Sequence, residues 1–330
     1  VRELTAAFEG ALARRADLVA GWHAEGSDAY RLLHGAAEGA PGVTVDRYGP
    51  SLLVQTWREP VDPAVVGSLA GAASELVGQS LRPVWNHRVR PVDFASWYPL
   101  ADEGDPVARE LGVAYDARLR HRGQDPLLFL DLRSLRRRLL VEARGLRVLN
   151  LFAYTCGVGV AAQVGGAASV DDVDFATSAL AVGATNHAAN PGSAVVRQHA
   201  ADVHAFLRGA TPAWDLVVLD PPAFARSKHG VVDVVRDYPA LFKPTLRVLD
   251  AGGGVVVATH HVASVSAAAF EDTLRRCAAK AGRPLRSVEM FGPEADFPSF
   301  DGQPPLKVAW CVVGPDTDGP AGVRAAPPGR

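Results

Sequence analysis

Apolar side chains recur at helical spacing through the first 25 residues of the 330-residue chain (Leu4, Phe8, Leu12, Leu18, Val19). That spacing predicts an opening helix over 1–25. The period then changes. Residues 43–57, VTVDRYGPSLLVQTW, are two β-rich runs on either side of DRYGPS and predict a hairpin. A helix is predicted over 63–78, a strand in RPVWNHRVRPV, and further strands in GVAYDARLRHRGQDP, residues 112–126. Residues 26–118 therefore read as a small α+β domain.

From residue 119 the rhythm is strand, helix, strand. RVLNLFAYTC, SVDDVD, AVVRQHAAD, WDLVVLD and GVVVATHH read as buried strands. Between them GVGVAAQVGGA, FATSALAVGATNHAAN, VHAFLRGA and VVRDYPALFKPTLRVLDAGG read as helices. A helix in VSAAAFEDTLRRCAAKAG and a strand in PLKVAWCVVG close the series. The alternation predicts an α/β unit over 119–314, a parallel sheet with helices on both faces. The Pro/Gly-rich residues 315–330 are expected to be a disordered tail.

Composition narrows the function classes. Hydrophobic residues make up 48% and charged residues 21%, enough for a core. A net charge of −2 argues against a generally adhesive nucleic-acid binder and leaves room for a local basic face. Cys156, Cys277 and Cys311 are far apart and form no CxxC pair. Neither a zinc site nor a disulfide framework is expected, and a reducing, cytoplasmic setting fits. No apolar run reaches the roughly 18 residues of a membrane helix, so no membrane partner is expected.

Three successive strands end in a carboxylate: Asp174, Asp202 and Asp220. The strand before them ends in a loop carrying Gly157 and Gly159. In an open α/β sheet these groups share one lip, where nucleotide-like ligands sit. The first acid suits a ribose diol and the second an adenine amine. Asp220 precedes Pro221 and Pro222, which cannot continue a sheet ladder and so impose a rigid exit. The loop NLFAYTCGVGVAA lacks the G-x-G-x-x-G spacing, and no Walker A sequence occurs. A pyrophosphate is thus poorly served, and a nicotinamide dehydrogenase is disfavoured. S-adenosylmethionine, with ribose and adenine but no phosphate, suits the lip.

These segments resemble the class I, Rossmann-like S-adenosylmethionine-dependent methyltransferases that modify a cytosine (C5) or guanine (N7) base of 23S rRNA. YRLLHGAAEGAPGVTVDRYGPSLLVQ is similar to that family's central signature, with Asp46, Arg47, Tyr48 and Gly49 in place. GQDPLLFLDLRSLR resembles its GQKTGFFLDQR motif, and VLNLFAYTCGVGVAA its first cofactor motif. DPPAFARSK resembles its D-P-P-x-F motif, with the Ser227–Lys228 ending nearer the guanine-N7 branch. DFP at 296–298 and LKVAWCVV at 306–313 resemble its closing motifs.

The resemblance implies roles. Asp131 and Arg133 would line the methionine end of the cofactor, with the arginine reaching its carboxylate. Asn150, Phe152, Tyr154 and Gly157 would form the cofactor loop, Asp174 would hold the ribose and Asp202 the adenine. Asp220, Pro221 and Pro222 would face the target base. The sequence departs from the family at Asp125-Pro126-Leu127 (for Lys-Thr-Gly), at Leu132 (for Gln) and at Cys156 (for Gly). The family's N-terminal PUA-type module is expected to be missing, the chain starting at what would follow it. These departures keep two alternatives open: a methyltransferase of a small molecule or protein, and a cofactor-degenerate binding or assembly protein.

Methylation at carbon 5 of cytosine requires a cysteine nucleophile. Where the cytosine branch carries it, this chain reads Thr259, His260, His261. Direct transfer to a nitrogen is therefore favoured, with His260 or His261 as a candidate base. The basic segment LRSLRRRLLVEARGLR (132–147) is a candidate contact for rRNA phosphates or else a solvated helix face. Asn186 and Asn190 are expected to pack or cap a helix end. His187 and His199 lack partners at metal spacing, so no metal is expected. A homodimer is kept open.

Overall fold

The computed structural model describes residues 2–88, 106–119, 125–222, 224–227 and 230–315. The amphipathic opening segment is α1 (Arg2–Ala24). The hairpin is β2 (Val43–Tyr48) and β3 (Ser51–Thr56), flanked by β1 (Ala29–His34) and β4 (Arg82–His87) in one sheet of order β1-β2-β3-β4. β3 and β4 run parallel, so a crossover is needed, and α2 (Pro63–Val77) supplies it. Asp62 caps α2 by accepting from the Ala64 amide, with Pro63 at the first helical position. Alternation, offset by a bulge between Arg31 and Leu33, sends Leu33, Val45, Leu52 and Val54 to one face, where with Leu32 they pack against Phe8, Leu12 and Val19 of α1 and Leu69 of α2.

A second, short hairpin follows, β5 (Val107–Glu110) with β6 (Val113–Asp116). Of the strands expected over 112–126, β6 is the one that forms among the described residues. Residues 120–124 lie outside the described residues, and residues 125–129 are irregular chain ahead of a 3₁₀ turn, Leu130–Leu132.

The repeating α/β unit comprises α3 (Arg133–Glu142), β7 (Arg147–Leu151), α4 (Gly157–Val164), β8 (Ser169–Asp174), α5 (Thr177–Ala188), β9 (Val195–Ala200), α6 (Val203–Gly209) and β10 (Leu216–Leu219). It continues with the hairpin β11 (Phe224–Ser227) and β12 (Gly230–Asp233), then α7 (Val234–Val248), β13 (Gly254–His260), α8 (Ala267–Lys280), β14 (Leu285–Phe291) and β15 (Lys307–Val313). The seven-stranded sheet has the order β14-β15-β13-β10-β7-β8-β9. β7 is flanked by β10 and β8, so the order reverses there and a crevice opens at the carboxyl ends.

Three features correct the sequence reading. The sheet is not wholly parallel, because β15 runs antiparallel between β13 and β14. β14 was not anticipated. Its LRSVEMF run carries Arg286, Ser287 and Glu289, an edge-strand composition with no continuous apolar signal. The hairpin β11–β12 likewise replaces the loop expected after the two prolines. Residues 316–330, most of the expected tail, lie outside the described residues. The core of the large sheet packs Leu149, Leu151, Val217 and Leu219 against Tyr238, Phe242 and Phe270. No helix among the described residues is long and apolar enough to cross a membrane.

Candidate active site

A cavity of about 640 Å³ opens at the carboxyl ends of β7, β8, β10 and β13. That is an ordinary size for a small-molecule site. Asn150 and the loop Phe152–Gly157 form one side, Asp174, Phe175 and Ala176 the next, and Asp220, Pro221, Pro222 and His261 a third. The segment from Asp125 to Leu132 covers them.

The loop after β7 is under conformational load. Phe152, Tyr154 and Cys156 all have positive φ (61°, 49° and 61°), a region costly to residues with a Cβ. The contorted path aims the Tyr154 amide at Asp174 Oδ2 (2.8 Å), and the Ala176 amide donates to Oδ1 (2.8 Å). Both oxygens are thereby fixed and keep lone pairs for a diol. Phe175, 74% exposed, presents its ring beside this carboxylate. A Cβ on Gly157 would stand a tight 3.3 Å from Leu128 Cδ1, which would have to shift slightly. Asn150 lines the cavity with its amide anchored on Asp172 (2.7 Å).

Asp220 ends β10 as anticipated. Its Oδ1 accepts from the Thr259 hydroxyl and pairs with His261 Nε2 at 2.8 Å. Burial alone would lower His261, but the bond and charge of Asp220, with Asp131 behind it, outweigh that and push it up to about 9. His261 is therefore an imidazolium at neutral pH. Asp131 lines the same wall, and burial raises its carboxyl above the usual range, with nearby Asp220 adding to the effect.

Three of the expected site residues lie outside the cavity lining. His260 is buried at the end of β13, its Nδ1 accepts from the Val262 amide, and its ring lies against Tyr238 and Phe270. Burial, with Lys307 and His261 adding, pulls it down to about 4; it does not line the cavity. Arg133 also turns away from the cavity. Asp296 (2.8 Å) and Glu294 (3.2 Å) draw its guanidinium to the far side of α3, over the Trp22 ring. Asp202 accepts from the Ala205 amide (2.9 Å) as the cap of α6 and is absent from the cavity lining.

The basic segment is not an open cationic face either. Arg136 is buried against Glu110, Arg137 pairs with Glu25 and Glu294, and Arg138 pairs with Glu289 over the Trp310 ring. Asn186 and Asn190 do more than cap: they clamp β6 through the Asp116 amide and both backbone groups of Ala114. Cys156, Asp172 and His187 cluster in the interior, where His187 already bonds Asp172 and Gln163.

The departures from the family pattern leave the cavity intact. Asp125 pairs with Arg88 at 2.6 Å on its rim. Leu132 is a buried wall residue. Cys156 points its thiol into a space left by Gly183, where a Cβ would lie 2.3 Å from Sγ. Sequence reasoning missed Phe175 and the wall residues Leu128, Phe129 and Thr155; only the position of Phe175 directly after Asp174 signalled it.

The donor set fits S-adenosylmethionine. Four carboxylates (Asp125, Asp131, Asp174, Asp220) suit a cationic ligand with a diol, and Phe175 offers an apolar face to a purine. Residues 31–310 match the family model described as S-adenosylmethionine-dependent methyltransferase. The chain belongs to that family. A ribosomal RNA large subunit methyltransferase of Deinococcus radiodurans is 35% identical over 297 residues, covering 86% of this chain and 72% of the relative. Ribosomal RNA large subunit methyltransferase I of Cronobacter sakazakii is 28% identical over 292 residues, covering 85% and 72%. Among solved structures, the methyltransferase SMU.776, complexed with S-adenosylhomocysteine, superposes with a TM-score of 0.78 at 25% identity, covering 93% of this chain and 80% of that one. The protein is thus an S-adenosylmethionine-dependent methyltransferase with an α/β Rossmann-like fold.

Proposed function

We propose that this methyltransferase acts on a base of large-subunit rRNA and transfers the methyl group directly to a ring nitrogen. The names of its relatives support the substrate class. The mechanism is carried by one observation: no cysteine lines the cavity. Cys156, Cys277 and Cys311 are all buried elsewhere, and burial pushes the Cys311 thiol up to about 12. A C5 transfer has no thiolate to open the ring.

When bound, S-adenosylmethionine supplies an already activated methyl group. Asp174 holds its ribose, and Asp131 and Asp220 favour its cationic end. Phe152, Tyr154 and Gly157 shape the loop beneath it. Pro221 and Pro222 form a rigid wall for the base. A ring nitrogen would attack the methyl carbon with its own lone pair as the carbon–sulfur bond breaks and S-adenosylhomocysteine departs, so no proton has to leave first and alignment supplies most of the rate. His261, already protonated, fixes Asp220 rather than acting as a base.

The test is labelled methyl transfer to unmodified 23S rRNA followed by nucleoside analysis. Label on a guanine ring nitrogen is expected. Label on cytosine C5 overturns the mechanism, and transfer only to proteins or small molecules overturns the substrate.

A further inference from the structure

His261 lines the cavity beside Asp220, Pro221 and Pro222. β13, which it follows, is the neighbour of β10 in the sheet, so strand order sets it next to the residue that ends β10. Its side chain is 27% exposed.

The fold uses half of this ring. Nε2 donates to Asp220 Oδ1 at 2.8 Å. The same oxygen accepts from the Thr259 hydroxyl, and the two prolines stiffen the chain just after it. The ring therefore leans on a fixed acceptor. The two N–H bonds of an imidazolium point apart, so Nδ1–H faces away from Asp220. Among the described residues Nδ1 has no hydrogen-bond partner, and it is not one of the atoms buried without one. It is an accessible donor on a wall of the cavity. Burial lowers the ring, with Lys307 adding, but the bond and charge of Asp220 and the charge of Asp131 outweigh this and hold it up at about 9. Both nitrogens are then protonated at neutral pH, and Nδ1 donates rather than accepts.

A purine offered through its N7 edge shows one of two patterns. Guanine presents N7 and O6, two acceptors; adenine presents N7 beside an amino donor. We propose that His261 selects guanine, its Nδ1–H donating to O6 while N7 faces the methyl group. The proposal rests on the rRNA reading and adds to it the residue that chooses the base. The bond to O6 is charge-assisted, which strengthens it. Adenine would set its amino group against the same N–H, donor to donor, and leave both unmet.

The test uses 23S rRNA transcripts with guanine or adenine at the nucleotide that labelling identifies. The unaltered chain is expected to prefer guanine by about 100-fold or more in kcat/KM. His261→Asn and His261→Gln carry an amide that can accept from the adenine amino group. Each should narrow the guanine-over-adenine ratio by about 10-fold or more, with S-adenosylmethionine affinity, read by calorimetry, no weaker. Thermal midpoints are measured for both, and the variant nearer the unaltered chain is the one read. A ratio that stays the same overturns the proposal and leaves the rRNA reading standing, as does equal or complete loss on both RNAs, because a structural role lowers both alike. A preference below about 10-fold in the unaltered chain also overturns it. Absence of any transfer to RNA by the unaltered chain defeats the rRNA reading and takes this role of His261 with it.

Discussion

His260 and His261 are adjacent in sequence, yet strand alternation sends one ring into the core and the other to the cavity wall. The sequence offered both as candidates for one role, and only packing separates them. Replacing His260 by Phe should change kcat by less than about threefold, whereas Asp220→Asn should lower it by about 100-fold or more; single-turnover transfer assays compare the two. The pairing of His261 also sets a pH window. Its folded value, about 9, lies above its ordinary 6.5, so the pair's contribution to stability is complete below pH 6.5. It is lost as pH rises through 9. Urea unfolding between pH 6 and 10 should show an alkaline decline that His261→Gln flattens. At Asp174, the Ala variant should weaken S-adenosylmethionine binding by about 10-fold or more, since it removes a fixed acceptor for two hydroxyls. Calorimetric titration measures this directly.

At the scale of elements, the loop after β7 and the helix α5 are matched to each other. Cys156 occupies a left-handed conformation, and its thiol lies where Gly183 leaves room. Giving α5 a Cβ at this point should cost about 1–3 kcal/mol by overpacking. Gly183→Ala is therefore expected to lower the thermal midpoint, and adding Cys156→Gly should restore most of it. Glycine relieves both the clash and the positive φ. Calorimetric scans of the two variants decide. The same logic explains why the resembled family has glycine at 156: the backbone there turns left-handed. Spacing alone could not show that this chain pairs a cysteine in the loop with a glycine on another helix.

At the scale of the molecule, Asp296 links distant parts of the chain. It is fully buried and accepts from the Arg133 guanidinium (2.8 Å) and the Arg31 amide (3.0 Å). It thus joins the segment between β14 and β15 to α3 and to β1. Replacing it by Ala removes the nearest of the carboxylates around the buried Arg133 guanidinium and leaves the Arg31 amide unmet, a change worth about 1–3 kcal/mol. The urea midpoint of Asp296→Ala should fall accordingly. This ion pair also explains why Arg133 does not line the cavity.

The sequence by itself determined the α/β repeat, the cofactor lip and the acids at its strand ends. These are local properties: a strand's apolar run, the acid that stops it and the prolines that forbid its continuation all lie within a few residues. It missed β14, whose mixed composition carries no period, and it did not show that Arg133, Asp202 and His260 lie off the cavity lining. Each of those side chains had two chemically adequate partners, a ligand or another part of the protein. Asp296 claimed the arginine, the α6 amides claimed the aspartate, and the aromatic core claimed the histidine. The tertiary structure decided these cases because a charge or ring goes to the nearest partner that compensates its desolvation, and that partner can lie more than 100 residues away, as Asp296 does from Arg133.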